Sequence, residues 1–314
     1  MTTEQATATE PATADRPQSR FFRARVTAIT DLTPSFRRFT FGGEDLADDG
    51  DPGFDQRIKI VFPTSDISID DMPTADDWWD RWRALDDAER PPFRTYTTRA
   101  VRRAACEVDV DMVAHDVLGP ASEWIARAEV GDEVLIFAPT TAHAAVSYGI
   151  DFVPPARTDD ILLAGDETAA PAIAVILEQL PRTARGVVVL ETPDPADAAY
   201  LPEHPGFVYR VAARRDDADR HRHLIAAVTE AAATLAPAGR GSEVEEIDID
   251  ADILWEVPRT AKGGAALKSA ALYAWLAGEA GAIKTLRRHL VTERGVDRRA
   301  VAFMGYWRLG RAEV

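Results

Sequence analysis

The sequence predicts an antiparallel β-barrel followed by a doubly wound, parallel-sheet α/β domain. Two observations carry that prediction. Between Phe21 and about Thr141, short β-rich runs are separated by turn residues. From about Asp159 onward, short apolar strands alternate with amphipathic helices, the pattern of a parallel sheet covered on both faces. A third observation places the join: Pro154 and Pro155 stand between the two patterns.

The elements follow in order. Residues 21–29 and 35–41 are β-rich, with Asp31, Pro34, Gly42 and Gly43 as breaks. Residues 57–62 alternate until Pro63 stops them, and 93–99 are β-branched and aromatic. Residues 106–113 alternate strictly, and 133–137 read as a buried strand. Short antiparallel strands of this kind close naturally into a barrel. Helices are expected near 77–88 and from Ser122, entered through Gly119 and Pro120. In the second half, strands are expected at 161–164, 187–190, 207–211, 272–277 and 300–304, with helices at 169–180, 221–235 and 282–293. The acidic stretch 236–252 reads as an exposed loop. The expected division is a disordered tail over 1–19, a barrel domain over 20–150, a linker over 151–158 and an α/β domain over 159–314. A barrel followed by such a domain has one well-populated precedent, the ferredoxin–NADP reductase architecture, but architecture alone says little of function.

Composition narrows the function. The chain has 36 Lys plus Arg against 52 Asp plus Glu, a net charge of −16. So acidic a chain lacks the basic footprint of a nucleic-acid or anionic-membrane binder. Its one cysteine, Cys106, excludes an internal disulfide and any multi-cysteine metal site. No apolar run approaches the ~20 residues of a membrane span. The first residues lack the basic and apolar regions of a secretory signal, so a cytoplasmic protein is expected. The charge is uneven: residues 44–89 hold 15 acids and 4 bases, while residues 281–314 hold 8 bases and 3 acids. The C-terminal segment can therefore face an anion although the whole chain is negative.

Five runs carry the chemistry. The first is Arg94 to Arg99 (RTYTTR). On a strand Arg94 and Tyr96 share one face, and Thr97 and Arg99 the other. A cation, an aromatic plane and small donors suit a flavin; they equally suit an ordinary strand with Tyr96 in the core. The second is His115 followed by Gly119, Pro120, Ala121 and Ser122, at a helix start that either seats a phosphate or is capped by Ser122 itself. The third, Gly165 to Pro171 (GDETAAP), sits at a strand-to-helix turn, the place of a Rossmann glycine motif, which is absent. Asp166 and Glu167 would repel a pyrophosphate. The run is either a capped helix start or a set of polar groups, Asp166 and Thr168 among them, that meet a nicotinamide or flavin ring. The fourth, Tyr273 to Glu279, ends a strand in Gly278 and an acid at the sheet's carboxyl edge, where ligands bind in open α/β sheets. The fifth, Gly305 to Gly310 (GYWRLG), places Tyr306, Trp307 and Arg308 after the last strand.

These five runs, in this order from about Phe21 to Arg311, resemble the siderophore-interacting protein family, the flavin-dependent ferric-siderophore reductases. The resemblance implies FAD in the barrel, with Arg94, Tyr96, Thr97 and Arg99 on the flavin-binding strand. It implies His115 and Gly119, Pro120, Ala121 and Ser122 along the diphosphate and ribose, and places Asp166, Thr168 and Glu279 among the cofactor contacts. It implies reduction of a ferric siderophore with electrons from NADH, NADPH or a reduced ferredoxin, no protein general base, and no resident metal. Lys59, Trp307 and Arg308 match substrate positions over the flavin's open edge. Two other readings share the scaffold: a general NAD(P)H:flavin or quinone reductase, and a non-enzymatic flavin or siderophore carrier. The sequence departs from the family after the strand at 133–137, where Ala138 to His143 offers only His143 as a cation, and the 44–89 loop is heavily acidic.

Overall fold

A computed structural model describes residues 17–114, 119–143, 149–214, 220–236 and 254–310. Residues 1–16, His115 and nearly all of the 236–252 stretch lie outside the described residues.

The first sheet has seven antiparallel strands, β1 (Ser19–Asp31), β2 (Phe36–Gly42), β3 (Arg57–Val61), β4 (Phe93–Thr97), β5 (Ala100–Arg102), β6 (Glu107–Val113) and β7 (Glu133–Pro139), in the order β4-β3-β7-β1-β2-β6-β5. The expected barrel takes the form of a half-barrel sheet, with the 93–102 segment pairing with β3 at one end and with β6 at the other. β4 and β5 form opposite edges and, by the chain of antiparallel pairings, run in the same direction. The chain therefore runs on from one into the other instead of reversing, and the sheet curls into a half-barrel. At the bend the Arg99 N–H donates to the Asp109 carbonyl of β6 (2.9 Å). Alternate residues of each strand point inward, so Phe22, Phe39, Phe41, Ile58, Ile60 and Met112 fill the interior. Helix α2 (Pro120–Arg127) plugs it with Trp124, 5.2 Å from the Phe39 ring and 5.0 Å from Phe62. The helix expected over 77–88 is shorter, α1 (Trp78–Ala84), and its Trp82 packs on Phe93 outside the half-barrel.

The second sheet contains β8 (Arg157–Gly165), β9 (Gly186–Thr192), β10 (Phe207–Ala213), β11 (Trp255–Glu256), β12 (Ser269–Glu279) and β13 (Val301–Trp307), in the order β10-β9-β8-β12-β13-β11. Five strands are parallel. The two-residue β11 adds an antiparallel edge, held by Trp255 stacking on Tyr306 of β13 at 5.5 Å. Helix α3 (Ala170–Gln179) covers the face of Leu163, Tyr273 and Trp275; α4 (Arg222–Leu235) and α5 (Ala280–Arg287) cover the face of Leu162, Val189 and Leu276. The helix expected from 282 begins two residues earlier, on Glu279 as N-cap, and ends in a π-helical turn over Arg288–Glu293. Strand order reverses between β8 and β12, so the crevice at their carboxyl ends is the ligand position of such sheets.

The two sheets are joined through buried carboxylates. Asp55 accepts from the Asp151 and Phe152 N–H groups and from Trp275 Nε1 (2.9 Å); burial and the nearby Asp151 push its carboxyl up to about 6. Arg57 and Arg259 pair with Asp151 at 2.9 and 2.8 Å, which pins the start of the expected linker. Asp197 accepts from Thr33 Oγ1 and the Ser35 N–H. Such groups persist in a low dielectric because each is matched by donors.

One buried carboxylate is not so matched. Asp49 is 1% exposed and its Oδ2 has no hydrogen-bond partner. Burial, then the charge of Asp51, push it up to about 7. A carboxyl whose folded pKa lies above its unfolded value binds more protons when folded, so stability falls as pH rises from about 4 toward 7. Asp49→Asn should therefore gain about 2 kcal/mol at pH about 8 and almost nothing near pH about 4.5, measured by denaturant titration at both. An equal effect at both pH values would show that shape, not charge, governs the position.

Candidate functional site

Arg94 and Tyr96 lie across from Ile60 and Ile58 of β3, on the inward face of β4. Tyr96 is half-buried and meets Phe62 edge-on at 6.1 Å. Arg94 donates to the Phe93 carbonyl (2.7 Å) and has no carboxylate partner among the described residues. Its neighbours on the half-barrel differ. Arg38 is bidentate to Asp111 (2.7 and 2.8 Å), and Arg102 to Asp109 (2.5 and 2.8 Å). Arg99, expected beside the cofactor, donates twice to Glu178 of α3 (2.8 and 2.5 Å), with Asp111 3.4 Å from its Nε. It is a tie between the two sheets, set apart from Arg94. Thr97 is buried opposite Arg57.

Helix α2 begins after Gly119, whose φ of 126° favours glycine. Pro120 occupies the first helical position and lacks an N–H. Ser122 does not cap the helix: its hydroxyl donates to the Gly119 carbonyl (3.0 Å), and Gly119, the N-cap, has no side chain to do so. The first-turn N–H groups of Ala121 and Ser122 have no intrahelical acceptor, and a Cβ built on Gly119 would meet nothing within 4 Å. A helix start of this kind suits an anion. Phe62 connects it to the strand, since Trp124 of α2 and Tyr96 of β4 both pack on that ring. A cation without a carboxylate partner among the described residues, an aromatic ring and a helix start can together hold an anionic, aromatic cofactor.

The carboxyl edge of the second sheet is organised differently. Asp166 is fully buried and accepts from the Thr168 N–H and hydroxyl, the Glu279 N–H and Trp307 Nε1 (2.9 Å). It thus joins the ends of β8, β12 and β13; burial and the adjacent Glu167 push its carboxyl up. Gly278 is required here, because a Cβ would stand 2.6 Å from Asp166 Oδ2. Glu279 accepts from the Ala282 N–H at the start of α5. Glu167 is bidentate with Arg214 (2.7 and 2.6 Å), and Glu191 accepts from the His221 and Leu224 N–H groups at the start of α4. Asp166, Thr168 and Glu279, expected at the cofactor, and Trp307, expected at the substrate, are brought together around the Asp166 carboxylate, while Glu191 and Arg214 are each held by partners that local pattern does not reveal. Glu191 closes an otherwise apolar strand, which was the available signal.

Lys59 projects from β3 on the outer face. Its Nζ is 3.4 Å from Thr95 Oγ1 and 4.9 Å from the Phe93 ring centre. It lines a surface cavity of about 160 Å³ together with Arg57, Thr95 and Phe137. Arg308 follows Trp307, and the next N–H, of Leu309, donates to Glu279. The two cations lie on different sheets, connected through Arg57, whose guanidinium covers Trp255 at 4.5 Å, and Tyr306. Among the described residues no helix is long and apolar enough to cross a membrane.

Comparison with known proteins extends the picture. Residues 25–143 match the model of the siderophore-interacting FAD-binding domain, and residues 158–310 match that of the siderophore-interacting protein. The chain is 33% identical to the uncharacterized protein Rv2895c of Mycobacterium tuberculosis, over 96% of this chain and 93% of that one. It is 26% identical to the ferric vibriobactin reductase ViuB of Vibrio cholerae, over 90% and 87% of the two chains. The siderophore-interacting protein SipS from Aeromonas hydrophila superposes with a TM-score of 0.66 at 27% identity, covering 94% of both chains. In fold alone the chain also matches the ferredoxin reductase of carbazole 1,9a-dioxygenase, with a TM-score of 0.54 at 14% identity over 92% of this chain and 70% of that one.

Proposed function

The chain belongs to the siderophore-interacting protein family, and from that premise we propose that it is an FAD-dependent reductase that frees iron from ferric siderophores. The observation that carries this reading is the end-to-end similarity to a ferric vibriobactin reductase. When bound, FAD would take electrons from NADH, NADPH or a reduced ferredoxin and pass them singly to iron. Fe(II) binds hard oxygen ligands less tightly than Fe(III), so reduction is the release step.

The chain's own residues bind and orient. Arg94 and the Ala121 and Ser122 N–H groups would hold the diphosphate, charge-assisted at one end and by the helix start at the other. Tyr96 would pack on the ring system, with Thr97 behind it. Asp166, through Trp307 Nε1 and the Glu279 N–H, fixes the aromatic end of β13 against the sheet. Lys59, Trp307 and Arg308 would receive the ferric chelate. No side chain needs to move a proton.

The test is direct. The purified full chain should show visible flavin absorption and, given NADH or NADPH, release Fe(II) from ferric chelates to a trap. A protein that binds FAD and a chelate but never transfers electrons would be a carrier. Flavin turnover without chelate turnover would mark a general flavin reductase. Within the same assay, Lys59→Ala should raise the apparent KM for an anionic catecholate chelate about two- to fivefold, as for a partly exposed charge contact. A neutral hydroxamate should be nearly unaffected. The effect should fade with salt, since such contacts are screened within about 10 Å at about 0.1 M. Equal KM changes for both chelates would remove Lys59 from the substrate site.

A further inference from the structure

We propose that Glu167 sets electron-donor selectivity by sequestering Arg214, so that the second sheet disfavours a 2′-phosphorylated dinucleotide. The inference rests on the reading above that a nicotinamide donor can dock at this edge. In doubly wound sheets the adenosine ribose lies beyond the second strand, and a cation there accepts the 2′-phosphate. That strand is β9, and Arg214 is anchored at its end, its N–H donating to the Thr192 carbonyl (3.0 Å). The guanidinium nevertheless turns to the neighbouring β8–α3 turn. It spends both ends on Glu167, in a pair whose side chains are 9% and 4% exposed. Arg220 also faces Glu167, at 3.8 Å.

Among the described residues the acids and helix starts of this edge are committed within the chain, and Arg215 lies outside those residues. Glu191, near the end of β9, is engaged by the His221 and Leu224 N–H groups at the start of α4. Glu279 holds the start of α5. In the turn entering α3, the Thr168 N–H is taken by Asp166, and Pro171 in the first helical turn has no N–H. The helix starts that usually grip a pyrophosphate are thus occupied by the chain's own carboxylates or lack a donor. Four acids stand against Arg214 and Arg220 among the described residues, a field that repels a further dianion. Glu167→Gln keeps the shape, removes one charge and leaves Arg214 able to take a phosphate.

The experiment measures calorimetric binding of adenosine 2′,5′-bisphosphate and of AMP to the FAD-loaded full chain, beside NADPH and NADH kinetics. Glu167→Gln should tighten the bisphosphate at least about tenfold over AMP, the worth of one charge-assisted contact, and shift kcat/KM toward NADPH in parallel. The double variant Glu167→Gln/Arg214→Ala should lose the gain and bind both nucleotides as wild type does. A bisphosphate bound more weakly by the Glu167→Gln/Arg214→Ala double variant than by wild type, with no Glu167 charge left to repel it, would show that Arg214 already reads the phosphate and would overturn the proposal. So would an unchanged nucleotide ratio in Glu167→Gln. Should no variant bind either nucleotide and neither NADH nor NADPH reduce the flavin, the proposal falls together with the nicotinamide reading. Iron release by dithionite-reduced protein would still test the reductase reading separately.

Discussion

Replacing Asp111 by alanine is expected to cost about 3 kcal/mol or more of folding stability, the range for breaking a buried ionic cluster. Asp111 lies on β6 with no side-chain exposure. It receives two hydrogen bonds from Arg38 and one from Tyr200 Oη (2.7 Å), and Arg99 stands 3.4 Å away. Tyr200 comes from the α/β half and stacks on Phe36 of β2 at 4.2 Å. Removing the carboxylate leaves Arg38 without its fork partner and the tyrosine hydroxyl without its acceptor, at the seam between the sheets. Arg38 is 29% exposed and can partly rehydrate, which keeps the cost near the lower end. Asp111→Asn retains one acceptor oxygen and should lose about half as much. Denaturant titrations followed by tryptophan emission measure both. If Asp111→Ala stays within about 0.5 kcal/mol of wild type, the seam is held by apolar packing alone.

The seam also shows what the sequence made legible. The strands and helices were readable because burial imposes period two or 3.6 on apolar residues, and β6, whose residues 108–112 are buried, still carries its alternating acids. What local pattern could not supply was pairing over distance. Arg99 looked like a flavin contact by its place in RTYTTR, yet its partner Glu178 is 79 residues away. Glu167 and Arg214 are 47 apart. The run 44–89 reads as heavily acidic by charge count, but Asp49 and Asp55 within it are buried, and Asp55 holds the second domain through Trp275. A charge count cannot separate a solvated aspartate from one that ties two sheets. The edge strand β11 escaped because two residues carry no periodicity.

Arg94→Ala is expected to weaken FAD retention about tenfold to a hundredfold, the loss of one charge-assisted contact worth about 1.5–3 kcal/mol. The contrast lies within one short segment. Arg94 and Arg99 are five residues apart, both arginines, on opposite faces. Arg99 is neutralised by Glu178 and Asp111, whereas Arg94 meets only a neutral carbonyl among the described residues. A half-buried guanidinium without a carboxylate gains little for the fold, because desolvation is not repaid by an ion pair. Its charge is instead available to a phosphate. The two substitutions should therefore separate. Arg94→Ala should unfold near the wild-type denaturant midpoint without FAD but lose flavin on gel filtration. Arg99→Ala should keep flavin at saturating FAD but unfold earlier. Arg94→Lys should recover only part of the affinity, since an ammonium lacks the planar fork that matches a phosphate. Equal flavin loss in Arg94→Ala and Arg99→Ala, at equal cost in stability, would return both arginines to a single structural role and leave the α2 start as the phosphate seat.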